Sequence, residues 1–306
     1  MTNRLQAKGV IAVLVLSLVA RVGLARLFFE YFTHDPAMID NLSALSQYAL
    51  LFSLCFWLMR DAGVGMGNIL GCNPDLKIGC HAFVFAVLLL AFAYGENFLE
   101  AYIVAQSSPE IAYKYWHFHA SHYVLELSSV SYLILVVTQF MVAPLVEEFV
   151  FRGLLQRAWT VRYGLRKSIL FVALAFTSLH FAGHYYVSTF IFSVVLSLLY
   201  IKFRSLWVNV GVHAIFNALA FAMEFNVGFH WERPITHLAG MKFWIPEMTM
   251  LLVSLPILVI FVRRNWWRLH GCASSRLCFG LSAMKGGRPP APSFVDSLTR
   301  SERINE

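Results

Sequence analysis

Residues 128–152 read SSVSYLILVVTQFMVAPLVEEFVFR, an apolar run without charge until Glu147, Glu148 and Arg152 crowd its end. A helix crossing the hydrocarbon core of a bilayer takes roughly 17–25 such residues. The stretch therefore reads as a membrane span. Ionisable groups at membrane depth are costly and mark functional positions. One segment thus points both to the fold class and to the site.

The rest of the chain agrees with the first of these. Of 306 residues, 58% are hydrophobic and only 13% charged, with 27 Phe and 8 Trp. Soluble domains carry about twice that share of charge. By length and hydropathy, about eight runs qualify or nearly qualify as spans: 10–29, 42–59, 80–105, 128–152, 168–183, 187–203, 206–223 and 243–262. The expected fold is an all-α polytopic membrane bundle of about eight helices. Arg21 and Arg26 interrupt the first run and no small-residue cleavage site follows it, so it does not read as a signal peptide. Residues 1–262 form the expected membrane domain. Residues 263–306 become basic and then rich in Gly, Pro and Ser, the composition of a flexible cytoplasmic tail.

Loop charge predicts orientation. Lys and Arg gather before the first run, between the second and third, between the fourth and fifth, and after the sixth and eighth. Glu30, Asp35, Asp40, Glu110 and Glu232 fall in the alternate loops. The positive-inside rule then puts both termini in the cytoplasm. These loops account for the net charge of +7; the expected partner is the lipid bilayer, with no nucleic acid. Cys55 lies in an apolar run, and Cys72, Cys80, Cys272 and Cys278 map to the reducing side without a close C-x-x-C pair.

Three polar clusters lie between residues 140 and 220: Glu147-Glu148-x-x-x-Arg152, Phe176-x-x-x-His180 and His213-x-x-x-Asn217. Residues four apart share a helix face. Glu148 and Arg152 are expected to pair, which makes both tolerable in an apolar setting. Glu147 is rotated by about 100° and can face inward without the arginine, as a general base would. Pro144 is expected to bend the helix. Counted from the helix ends, Glu147, His180 and His213 lie at similar depths, roughly 10–18 Å into the membrane.

Together E-E-F-V-F-R, F-T-S-L-H and H-A-I-F-N resemble the E-E-x-x-x-R, F-x-x-x-H and H-x-x-x-N motifs of the CAAX-protease and bacteriocin-processing (Abi) family of intramembrane endopeptidases. The resemblance covers about residues 128–223, which would be the catalytic core. It implies cleavage of a membrane-associated protein or peptide, near its C-terminus or elsewhere, in a bacterial cytoplasmic membrane. It also implies roles: Glu147 activating a water with His180 sharing the proton handling, His213 and Asn217 stabilising the oxyanion, Glu148 and Arg152 holding the geometry. No cofactor is then required. The alternative is a Zn²⁺ site built from Glu147, His180 and His213. An asparagine one turn after His213 suits an oxyanion donor better than a zinc ligand. His184, one turn after His180, favours metal binding, but the glutamate of H-E-x-x-H is missing and its place at a helix end reads as structural.

Other chemistries are less well served. Asp35, Asp40, Asp61, Asp75 and Asp296 all map to loops or the tail, so no aspartyl dyad is expected, and no G-x-S-x-G elbow occurs. Ser178, Ser193 and Ser197 read as helix-packing residues. His117, His119 and His122 read as interfacial side chains, with metal binding or pH sensing as the alternative. Glu96 and Glu100 either snorkel to the interface or line a substrate entrance or ion path. A transporter or immunity-type peptide-binding protein is the reading from a different class. It would be expected to show repeat symmetry in both halves, whereas here the polar groups gather in one stretch.

Overall fold

The computed structural model describes residues 6–72, 75–113, 128–180, 186–225 and 238–269. Within them the backbone is helical, without a strand. In chain order the helices are Ala7–Tyr31 (α1), Pro36–Asp61 (α2), the short Met66–Leu70 (α3) and Leu76–Ser107 (α4). They are followed by Ser129–Tyr163 (α5), Leu165–Leu179 (α6), Tyr186–Phe203 (α7), Leu206–Phe225 (α8) and Ile245–Arg268 (α9).

Seven of these, all but α3 and α6, are long and apolar enough to cross a membrane. The chain is an all-α polytopic membrane protein. The expected fifth span, 168–183, is shorter than its hydropathy suggested. α6 has 15 residues and ends with His180 as its C-cap, so at about 1.5 Å per residue it falls short of a 30 Å core. The fourth span errs in the other direction. α5 continues through Tyr163, placing Arg157 and Arg162 on the helix rather than in a loop, and stops at Gly164, whose φ of 81° ends it. Asp40 likewise lies inside α2, not in a loop; there it meets Arg21 at 2.6 Å. α9 runs on to Arg268, six residues past the expected boundary, and the remaining tail from 270 lies outside the described residues.

Helix starts follow side-chain chemistry. Asp35 caps α2 by accepting from the N–H groups of Ala37 and Met38, with Pro36 at the first position. Asp75 caps α4 through Ile78 N, and Ser128 caps α5 through Ser131 N. Two glycines fix the packing around α5. Gly71 has a φ of 70°, and an added Cβ would sit 1.8 Å from Arg204 O, so only glycine lets this loop close on the α7–α8 joint. Gly153 admits α3, since a Cβ there would meet Ile69 Cγ2 at 2.7 Å.

The core gathers on α5. Val146, Phe149, Val150, Phe151 and Leu154 are buried against Val172 and Phe176 of α6, Phe192, Val195 and Leu196 of α7, and Val212 of α8. Leu16, Val19 and Val22 of α1 and Leu252, Val253 and Ile260 of α9 are exposed. On helices that cross a bilayer such faces meet lipid. Buried Cys55 behaves as the small apolar side chain expected of it.

Candidate active site

The site is built on α5, which leaves ordinary α geometry twice, in π-helical turns at Thr138–Val142 and Phe149–Leu155. Pro144 follows the first. Its missing N–H interrupts the bonding ladder, yet the helix runs on through it in altered register. Turns of this kind occur often at functional sites. The second begins directly after Glu147 and Glu148.

Glu148 faces the protein interior and is fully buried. Its Oε1 accepts from Arg152 Nη1 at 2.8 Å and from His213 Nδ1 at 3.0 Å, and its Oε2 accepts from Asn209 Nδ2 at 3.2 Å. Arg152, equally buried, donates through Nη2 to Ser193 Oγ at 2.9 Å, and its guanidinium carbon lies 4.9 Å from the Phe176 ring centroid. The expected i,i+4 pair is therefore present and sits inside a polar network spanning α5, α7 and α8. Such a network compensates the desolvation of both charges.

Glu147 faces the other way, as one helical step dictates. It lines a cavity of about 650 Å³ bounded by parts of α1, α2, α4, α5, α7 and α8 and by the end of α6. Tyr48 of α2 donates its hydroxyl to Glu147 Oε1 at 2.6 Å. Among the described residues Glu147 Oε2 accepts no hydrogen bond, and it stands 3.9 Å from His213 Nε2. His180, His213 and Asn217 line the same cavity, whereas Glu148 and Arg152 lie behind its wall.

Proton positions on both histidines follow from their partners. Glu148 is held as an acceptor by Arg152 and Asn209, so His213 Nδ1 must be the donor. Phe176 O, a carbonyl 2.7 Å from His180 Nδ1, imposes the same tautomer on His180. Each neutral ring then keeps Nε2 as an acceptor. Asn217 Nδ2 gives one N–H to Gln139 O at 2.9 Å and keeps the other. The three motifs thus converge: Glu147, His180, His213 and Asn217 share the cavity, and Glu148 and Arg152 brace it.

Among the described residues no three His, Cys, Asp or Glu side chains stand close enough together to hold a metal ion. His184, His117, His119 and His122 lie outside the described residues. Glu96 is buried on α4 and Glu100 half-buried one turn on. Neither is in the cavity wall, although their neighbour Asn97 is.

Four contributors escaped the motif reading: Tyr48, Gln139, Ser193 and Asn209. Asn209 had a signal, since Asn209-x-x-x-His213-x-x-x-Asn217 repeats one helix face. Ser193 was expected only to pack, yet its hydroxyl accepts from Arg152. Nothing in the apolar context of Tyr48 sets it apart from the other tyrosines, because its partner is 99 residues away.

Comparison with curated proteins and with solved structures returns no match. Residues 129–219, from the start of α5 to just past Asn217, match the family model described as type II CAAX prenyl endopeptidase Rce1-like. The matched segment holds all three motifs, so over these residues the chain is similar to that family, and its seven long apolar helices mark it as an integral membrane protein.

Proposed function

We propose that the chain is an intramembrane endopeptidase in which Glu147 activates a water against a peptide bond of a membrane-associated protein or peptide. The observation that carries this reading is the asymmetry of Glu147. One carboxylate oxygen is held by Tyr48, while the other is buried without a hydrogen-bond partner among the described residues, facing His213.

The proton balance closes with this chain's own groups. Water adds to the scissile carbonyl carbon as Glu147 Oε2 takes its proton, leaving a tetrahedral oxyanion. The remaining N–H of Asn217 donates to that oxyanion. Neutral His213, with Nδ1–H committed to Glu148, offers Nε2 as an acceptor that orients the water. His180 Nε2 supplies a further acceptor at the cavity. The intermediate collapses when the C–N bond breaks and the leaving nitrogen takes the proton back from Glu147. No step uses a metal. Glu148 and Arg152 act through His213, whose ring orientation they set.

The reading is tested with purified protein in lipid nanodiscs, incubated with membrane-inserted peptides, prenylated and unprenylated, followed by mass spectrometry of products. Site-specific cleavage lost in Glu147→Gln is the expected result. Cleavage that persists in Glu147→Gln overturns the role of the glutamate. If wild-type protein binds such a peptide without cutting it, the chain is a peptide-binding relative.

A further inference from the structure

We infer that Tyr48, on a helix outside the family-matched segment, is a positioning residue that completes the site by orienting the Glu147 carboxylate. The inference rests on the peptidase reading above.

The geometry begins with how α2 docks on α5. Asn41, Tyr48 and Phe52 are spaced by seven and four residues, so they form one stripe along α2. Asn41 Nδ2 donates to Ser131 O at 3.1 Å near the start of α5. Phe52 packs on Phe149 with ring centroids 5.2 Å apart, just past the glutamates. Two contacts, one on each side, therefore fix where the intervening Tyr48 reaches α5. Its ring has one rotatable end group, the hydroxyl, and that hydroxyl meets Glu147 Oε1 at 2.6 Å, the short distance of a charge-assisted bond.

The consequence is a division of labour between two chemically equivalent oxygens. A carboxylate free to spin about its terminal torsion presents either oxygen, in a broad range of orientations. With Oε1 engaged by Tyr48, the carboxylate plane is set and Oε2 is the oxygen turned to His213, a residue that lines the cavity with Glu147. Tyr48 keeps its own proton throughout; only Oε2 shuttles one. The segment 129–219 supplies the reacting groups, but α2 supplies the contact that aims the base.

Tyr48→Phe removes the hydroxyl and little else, so it isolates the contact. Expected is a fall in kcat of about tenfold or more, the effect of losing one hydrogen bond to a charged group, with KM unchanged. In a Glu147→Gln background the same substitution is expected to cost nothing further, because partners in one network are not additive. An independent reading comes from the infrared spectrum of protein labelled with ¹³C at glutamate carboxyls. The band that disappears in Glu147→Gln should shift in Tyr48→Phe. Full activity in Tyr48→Phe, equal costs in both backgrounds, or an unmoved Glu147 band overturns the inference. A moved band in a wild-type protein that cleaves nothing would instead keep the contact and discard the peptidase reading.

Discussion

Glu147 and Glu148 are neighbours in sequence and opposites in surroundings. Glu148 is fully buried and accepts from Arg152, His213 and Asn209. Glu147 borders a cavity, and one of its oxygens has no hydrogen-bond partner among the described residues. The same functional group, turned by about 100°, is fully engaged in one place and, on the proposed mechanism, the base in the other. A fully buried carboxylate held by three donors is out of reach of a reacting water. A carboxylate held at one oxygen beside a cavity is not. On the proposed mechanism, burial alone does not mark the catalytic group; incomplete satisfaction at a cavity wall does.

The sharpest way to break this contrast is to remove each charge in turn. Glu147→Gln keeps the shape and hydrogen bonding of the side chain but cannot take a proton, so kcat should fall by about 10²–10⁴. The melting temperature should stay close to wild type. A large loss of stability instead would make Glu147 structural like its neighbour.

Arg152→Ala attacks the other side. It leaves Glu148 buried beside an unfilled space, with a stability cost on the order of 3–5 kcal/mol. Denaturation of the purified protein in detergent should show it, with activity falling in parallel. Lost activity at full stability would move Arg152 into the chemistry.

His213 and Asn217 lie on α8, where the two sides meet. Asn217→Ala should lower kcat by about 10²–10³, the usual loss for one oxyanion donor, with little change in KM. Asn217→Asp should do no better, since an anion would oppose the developing charge. A rise in KM with kcat intact would assign Asn217 to substrate binding. The smallest expected effect is that of chelation. Exhaustive removal of divalent metal should leave turnover within about twofold of the starting value, whereas activity lost and restored by zinc would reassign Glu147, His180 and His213 as ligands.

Much of this was legible in the chain. Hydropathy located every long span, and four-residue spacing anticipated the Glu148–Arg152 pair and the separate facing of Glu147. The misjudged boundaries have physical causes. Hydropathy counts apolar residues, but α6 ends when His180 leaves helical geometry, and α5 runs on past Arg157 because nothing stops it before Gly164. Asp40 was assigned to a loop by its charge, yet Arg21 across the α1–α2 pair makes it tolerable inside a helix. Asn209 was legible in principle, one turn before His213 on the same face.

By itself the sequence determined the class of protein and the short-range geometry of its polar motifs, because helical periodicity turns spacing along the chain into facing in space. Tertiary structure alone decided the remaining contacts. Docking of α2 on α5 brought Tyr48 to Glu147, and the crossing of α5 with α8 brought Glu148 to His213 and so set the histidine's tautomer. Those contacts join residues 99 and 65 positions apart, and no local periodicity encodes them. They arise from how rigid helices pack, where the burial of Phe149, Val150 and Leu154 fixes the rotation of α5 and thereby which glutamate meets the cavity.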